Sequence, residues 1–244
     1  QRIWKRLESA ILPRLKNTLT VNASIAELYR KAYGIQMRIL RNVPVFTGVF
    51  QVKSRAELGL PDDKRIVILQ GSGINIDRGA EEAVAAIKDV PNALLLILGS
   101  GDVIGQLRHE VNQNSLQDKV LFKDRMPYED MMVHTRVADL GLTLDKDTNI
   151  NYRYSLPNKL FDYIHAGIPT LGSDLKEVAS IIHKYGIGDV VTEVEPHELA
   201  NKIAEMLDSD ENTNWKQNCL KAREMLNWDK ESETLKELLI AIDE

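Results

Sequence analysis

The sequence predicts an α/β chain built on a doubly wound, Rossmann-like parallel sheet, and three observations carry that prediction. From about residue 50 onward, apolar runs of three to five residues alternate with segments whose apolar residues recur at helical spacing. The clearest runs are continuously apolar rather than alternating, as expected of strands covered on both faces. The first two end in the same turn, Gly71-Ser72-Gly73 and Gly99-Ser100-Gly101. Strands alternating with helices in this way form a parallel sheet with helices on both sides.

Taken in order, Ile3, Leu7 and Ile11 stand four apart and predict a helix stopped by Pro13. A strand over 18–21, a helix over 25–33 closed by Gly34, and a strand over 37–40 ended by Asn42-Val43-Pro44 follow. Two strands cannot bury a core. Residues 1–48 therefore read as the tail of another domain, and 49–225 as a domain of its own. In that domain Ile66-Val67-Ile68-Leu69 is the first strand, and Ala80, Ala83, Val84 and Ile87 mark a helix broken at Pro91-Asn92. A strand over 94–98, a helix through Val103, Ile104, Leu107 and Val111, and a strand over 120–122 come next. They are followed by a helix over 128–136, a strand over 140–144, the helix near 157–166 and a strand over 170–172. A helix over 176–185, a short strand over 189–191 and a helix carrying Leu199, Ile203, Met206 and Leu207 complete the unit. Six strands make a full doubly wound domain. Residues 226–244 read as a separate final helix.

The richest stretch is Ser155-Leu156-Pro157-Asn158-Lys159-Leu160-Phe161-Asp162-Tyr163-Ile164-His165-Ala166-Gly167-Ile168-Pro169. Pro157 suits a first-turn position, where its missing N–H has no intrahelical partner. Gly167 ends the helix. Lys159 and Asp162 share one face while Leu160, Phe161 and Ile164 point inward. Bare N–H groups at a helix N-terminus beside a lysine seat a phosphate. A carboxylate one turn later can accept hydrogen bonds from the hydroxyls of whatever carries that phosphate, and phosphate with diol suggests a nucleotide. The same spacing also describes a surface ion pair worth about 0.2–0.5 kcal/mol and no function.

Composition narrows the classes. A formal charge of −5 gives no support to a nucleic-acid partner. The single cysteine, Cys219, forms no internal disulfide, so a cytoplasmic setting is the simplest expectation. No apolar run of 18 residues exists, and neither an initiator methionine nor a signal peptide opens the chain, which reads as a fragment. His109, His134, His165, His183 and His197 show no metal-ligand spacing, and no metal or cofactor is expected. His165 lies in the rich helix and is either packed there or near a bound ligand. Arg2, Lys5, Arg6, Arg14 and Lys16 form either a solvated face or a contact for anionic lipid.

The run "SLPNKLFDYIHAGIPTLGSD" resembles the signature helix of retaining group 1 (family 4) glycosyltransferases, which have the two-domain GT-B architecture. In that family two glutamates stand eight apart; Asp162 falls on the second position, one methylene shorter, and Tyr154 on the first, which is not acidic here. Pro157-Asn158-Lys159 matches a subset with Pro-Asn-Lys in this helix. The resemblance implies a donor site of Gly71, Ser72, Gly73, Arg78, Arg125, Met126, Tyr154, Asn158, Lys159 and Asp162. Glycines 71 and 73 would let backbone N–H groups approach a diphosphate. Arg78 would supply one cation, Ser72 stands where many members have a second, and Lys159 would replace it. Arg125 and Met126 lie in the loop that would cradle the base; without the resemblance they are an ordinary loop and a packed methionine.

The resemblance also implies an activity: transfer of a hexosyl-type sugar, with retention, from a nucleoside-diphosphate-sugar to a glycan or lipid-linked acceptor in polysaccharide biosynthesis. Residues 1–48 would be the remnant of the acceptor domain and 226–244 a helix crossing back to it. Peripheral contact with the inner face of the membrane would come through the missing half, and this piece would bind nucleotide without turning over. Two alternatives stand beside this reading: a non-catalytic nucleotide-binding or assembly relative, and a nucleotide-sugar epimerase of the same architecture. No catalytic residue can be named from the sequence.

Overall fold

The computed structural model describes residues 2–46 and 52–243. The chain divides into two compact units, one gathering the chain up to Phe46 with the chain from Met225 onward, the other running up to Glu224. The boundary expected at 48–49 lies outside the described residues.

The smaller unit holds α1 (Arg2–Ile11), β1 (Leu19–Thr20), α2 (Ala23–Tyr33) and β2 (Arg38–Ile39). The two strands pair in parallel and are shorter than the apolar pattern suggests. Asn22 caps α2 by accepting from the Ile25 N–H at 2.9 Å, and Gly34 closes it at φ +69°. Ile3, Trp4, Leu7 and Ile11 are exposed on α1, as are Lys5 and Arg6, and Arg14 and Lys16 are exposed just beyond it; the Arg2 side chain lies outside the described residues.

The larger unit runs β3 (Arg65–Gly71), α3 (Ala80–Ile87), β4 (Ala93–Gly99), α4 (Ile104–Gln113), β5 (Val120–Asp124), α5 (Tyr128–Arg136), β6 (Leu140–Thr143), α6 (Ile150–Arg153), α7 (Asn158–Ala166), β7 (Thr170–Ser173), α8 (Lys176–Tyr185), β8 (Gly188–Val191), α9 (Pro196–Asp208) and α10 (Asn212–Met225). The final helix, α11 (Trp228–Asp243), belongs to the smaller unit. There the Trp228 N–H bonds to Pro44 O at 3.0 Å, and Glu231 accepts from the Arg41 backbone N–H and guanidinium at 2.8 and 2.7 Å.

All six strands of the larger unit are parallel, in the order β5-β4-β3-β6-β7-β8. The chain starts at the centre, winds outward, returns, and winds the other way. Such sheets open a crevice at the carboxyl ends of the two central strands, here β3 and β6. Alternate strand residues supply two cores. Val67, Leu69, Leu95 and Ile97 pack with α3, α4 and α9, while Ile66, Ile68, Leu94 and Leu96 pack with Tyr163 of α7 and Val133 of α5.

Two helices go beyond the sequence reading, α6 and α10, and one terminus is corrected. Pro157 is the extended cap of α7, at φ −67° and ψ 138°, and the helix begins one residue later at Asn158. Pro157 already has the φ of a helix, but its ψ is extended, so the turn starts only with the next residue.

Candidate functional site

The centre of the site is Asp145, two residues past β6, at the crevice between β3 and β6. It is 1% exposed. Three segments converge on it. Arg78, from the turn between β3 and α3, brings its guanidinium to 3.7 Å from Oδ1. Ser155, just before α7, donates its hydroxyl to Oδ2 at 3.2 Å. Lys159, in the first turn of α7, is held close enough for the carboxylate to favour its charged form.

Local backbone chemistry explains how Arg78 arrives there. Gly79 caps α3 at φ +76°, and a Cβ at that position would lie 2.3 Å from the Leu144 side chain. Only glycine permits both the left-handed backbone and the contact with the end of β6. The Arg78 guanidinium also lies 4.8 Å over the Tyr152 ring, a cation–π contact made possible by α6. Asn149 starts α6 by accepting from the N–H groups of Asn151 and Tyr152, both at 3.0 Å.

Lys159 is the most informative side chain. It is buried, and among the described residues its ammonium makes no hydrogen bond and no ion pair. Burial pushes its pKa down; Asp145 works against that shift, and Arg78 adds to it. Arg78 Nε and Asp145 Oδ1 are buried atoms without a hydrogen-bond partner. Two cations thus face one carboxylate beside a helix N-terminus, with donors left over. An anion with several oxygens would satisfy them.

The Gly71–Gly73 turn at the carboxyl end of β3 is open. A Cβ at Gly71 or Gly73 would meet nothing closer than 3.9 Å, so the backbone leaves room for a ligand. Ser72 is exposed, as is Asn158 at the first position of α7. Tyr154 is partly buried at the end of α6. Arg125 is exposed and makes no hydrogen bond or ion pair among the described residues, and Met126 packs beside the core of α5 and α7.

Asp162 is not a surface group and is not paired with Lys159. It is 7% exposed; Tyr128 donates to Oδ1 at 2.9 Å and Gln70 Nε2 to Oδ2 at 3.2 Å. Thr135 fixes the Gln70 amide by donating to its Oε1 at 2.6 Å. Burial raises the Asp162 carboxyl from 3.8 to about 6, against the pull of both hydrogen bonds. The folded carboxyl therefore keeps its proton to about pH 6, the unfolded one only to about 3.8. The folded state binds more protons in that window, so this group's contribution to stability falls as pH rises through it and levels off above. Urea denaturation across that range is expected to show this component in the wild type and not in Asp162→Asn. Identical pH profiles for the two proteins would refute it.

Gln70, Tyr128 and Asp145 escape the sequence reading. Gln70 had a signal, a polar residue between the apolar run of β3 and the glycine turn that follows it. Asp145 had one as well, since it lies just past the carboxyl end of a strand. Tyr128 had none. His165 is buried in α7. Among the described residues no three His, Cys, Asp or Glu side chains are grouped to hold a metal, and no helix is long and apolar enough to cross a membrane.

This architecture is shared with known proteins. Sucrose-phosphate synthase from Thermosynechococcus elongatus superposes with a TM-score of 0.82 at 21% identity, over 99% of this chain and 62% of that one. HepE of Anabaena, solved with UDP and glucose, superposes with a TM-score of 0.81 at 14% identity, over 99% and 68%. The chitobiosyldiphosphodolichol beta-mannosyltransferase of Debaryomyces hansenii is 25% identical over 122 residues, which is 50% of this chain and 25% of that protein. The chain thus spans a quarter of that curated relative's length and under two thirds of the synthase. These likenesses fix the fold as the C-terminal Rossmann-like domain of GT-B glycosyltransferases. A model of the family described as glycosyl transferases group 1 matches residues 51–222, most of the chain, and the chain belongs to that family.

Proposed function

We propose that the larger unit binds the nucleoside-diphosphate-sugar donor of a retaining, hexosyl-type glycosyltransferase. The observation that carries the proposal is the pair of cations, Arg78 and the unpaired, buried Lys159, set against the single carboxylate of Asp145 at the N-terminus of α7. The diphosphate would lie across Gly71–Gly73 and these cations. Negative charge growing on it as the sugar departs would meet positive groups already in place, the arrangement that contributes most to catalysis in a closed site. UDP and glucose bound to HepE support a donor of this class. The acceptor, a glycan or lipid-linked glycan, would be oriented by a facing domain that closes on the donor, at the inner face of the membrane.

A second reading, a nucleotide-binding relative without transferase activity, draws on Tyr154 and Ser72, which stand where the family resemblance calls for an acid and a cation. Calorimetric titration with uridine, UMP and UDP tests the donor reading. Affinity is expected to rise at each added phosphate, most at the second. Equal affinity for UMP and UDP would contradict the placement of the diphosphate.

A further inference from the structure

Arg78 reaches the site from a turn, and its backbone is preset on both sides. Asp77 and Gly79 each take left-handed backbone, at φ +64° and +76°. A residue other than glycine is uncommon in that region and must be held there by its surroundings. Here the backbone N–H of Lys146, just past β6, donates to Asp77 O at 2.9 Å. The backbone thus fixes where the Arg78 side chain starts, but several rotatable bonds still separate it from the guanidinium. Asp145 attracts that group from 3.7 Å, beyond hydrogen-bond distance, and so leaves its plane unset. The half-buried Tyr152 ring lies beneath it, 4.8 Å from centroid to Cζ. The ring is itself tethered. Asn149 caps α6, Arg153 of the same helix pairs with Asp147 at 2.8 Å, and the Tyr152 hydroxyl lies 3.5 Å from Ile76 O. In this way α6 folds back over the turn that carries Arg78.

We infer that Tyr152 is a positioning residue, whose ring holds the Arg78 guanidinium ready for the diphosphate while leaving its N–H donors free. The inference rests on the donor reading above and adds to it the group that prepares one of the two cations. An aromatic face attracts a guanidinium stacked on it without consuming its N–H donors. A second carboxylate in the same place would hold the cation too, but would also occupy those donors and neutralise the charge. Arg78 Nε has no hydrogen-bond partner, as expected of a guanidinium held by its face rather than its edge. Without the ring the side chain would sample several rotamers, and ordering it would fall to the ligand at a cost in affinity.

Titration of UDP and of uridine into the wild type, Tyr152→Leu and Tyr152→Phe tests the role. Leucine keeps an apolar side chain beside the turn and removes the aromatic face. Its UDP affinity is expected to fall about three- to tenfold, the worth of a cation–π contact at a half-buried place, with uridine affinity unchanged. Tyr152→Phe retains the ring and is expected to recover the loss. In an Arg78→Met background Tyr152→Leu should cost nothing further, since the ring then has no cation to hold. Equal losses for UDP and uridine, losses that add in the double variant, or a phenylalanine variant as weak as the leucine one would overturn the assignment. Nitrogen-15 relaxation of the Arg78 Nε–H, in protein without ligand, should show more side-chain motion in Tyr152→Leu than in the wild type. A wild type that binds UDP no better than uridine would remove the donor reading. The ligand-free relaxation still decides in that case, and unchanged motion in Tyr152→Leu overturns the positioning role by itself.

Discussion

Replacing Tyr163 by alanine is expected to destabilise the six-stranded unit by about 3–5 kcal/mol, the cost of deleting a fully buried aromatic ring. The ring is 0% exposed and lies against Gly141 of β6, where a Cβ would come within 2.5 Å of it. Its hydroxyl donates to Leu142 O at 3.0 Å and Ile68 O at 3.3 Å, and lies 3.4 Å from the Gln70 N–H. It therefore bridges β3 and β6, the two strands that open the crevice. Alanine would leave a cavity there and strip these backbone groups of a partner. Tyr163→Phe removes only the hydroxyl and should cost about 1 kcal/mol. Urea denaturation of both variants measures the difference. A Tyr163→Ala protein as stable as the wild type would show that α7 is not anchored by this ring.

Lys159→Met should weaken nucleoside-diphosphate binding by about 1.5–3 kcal/mol, the range for a hydrogen bond to a charged group, or about 10- to 150-fold in affinity. Methionine keeps most of the buried volume and removes the charge. In the free protein that charge is a liability, because the ammonium is desolvated and has no bonding partner among the described residues. The variant is therefore expected to be at least as stable as the wild type while binding worse. That opposite movement separates a ligand-binding lysine from a structural one. A parallel loss of stability and affinity would point to a packing role.

The sheet was legible because its strands are continuous apolar runs, and a strand buried on both faces needs nothing else to announce it. The helix α10 was not, since Cys219 and Ala222 are its only buried side chains and so no apolar stripe repeats along it. The helix α6 sits in a polar loop and is held by the Asn149 cap and the Arg78–Tyr152 contact rather than by apolar periodicity. In the site, spacing put Lys159 and Asp162 on one face of a helix, and both belong to polar clusters at the crevice. It could not say that they turn to different partners. Asp162 meets Tyr128 and Gln70, which lie 34 and 92 residues away in the chain, and Lys159 faces Asp145. Those pairings are set by packing of α5 on α7 and of β3 beside β6, which no local pattern encodes.

Titration of UDP into the wild type and Lys159→Met, followed by calorimetry with melting temperatures recorded alongside, is the most direct test that the cationic cluster at the head of α7 is a diphosphate seat. The account predicts saturable binding to the wild type, binding at least about tenfold weaker in the variant, and a melting temperature that does not fall. Equal affinity in the two proteins would contradict it.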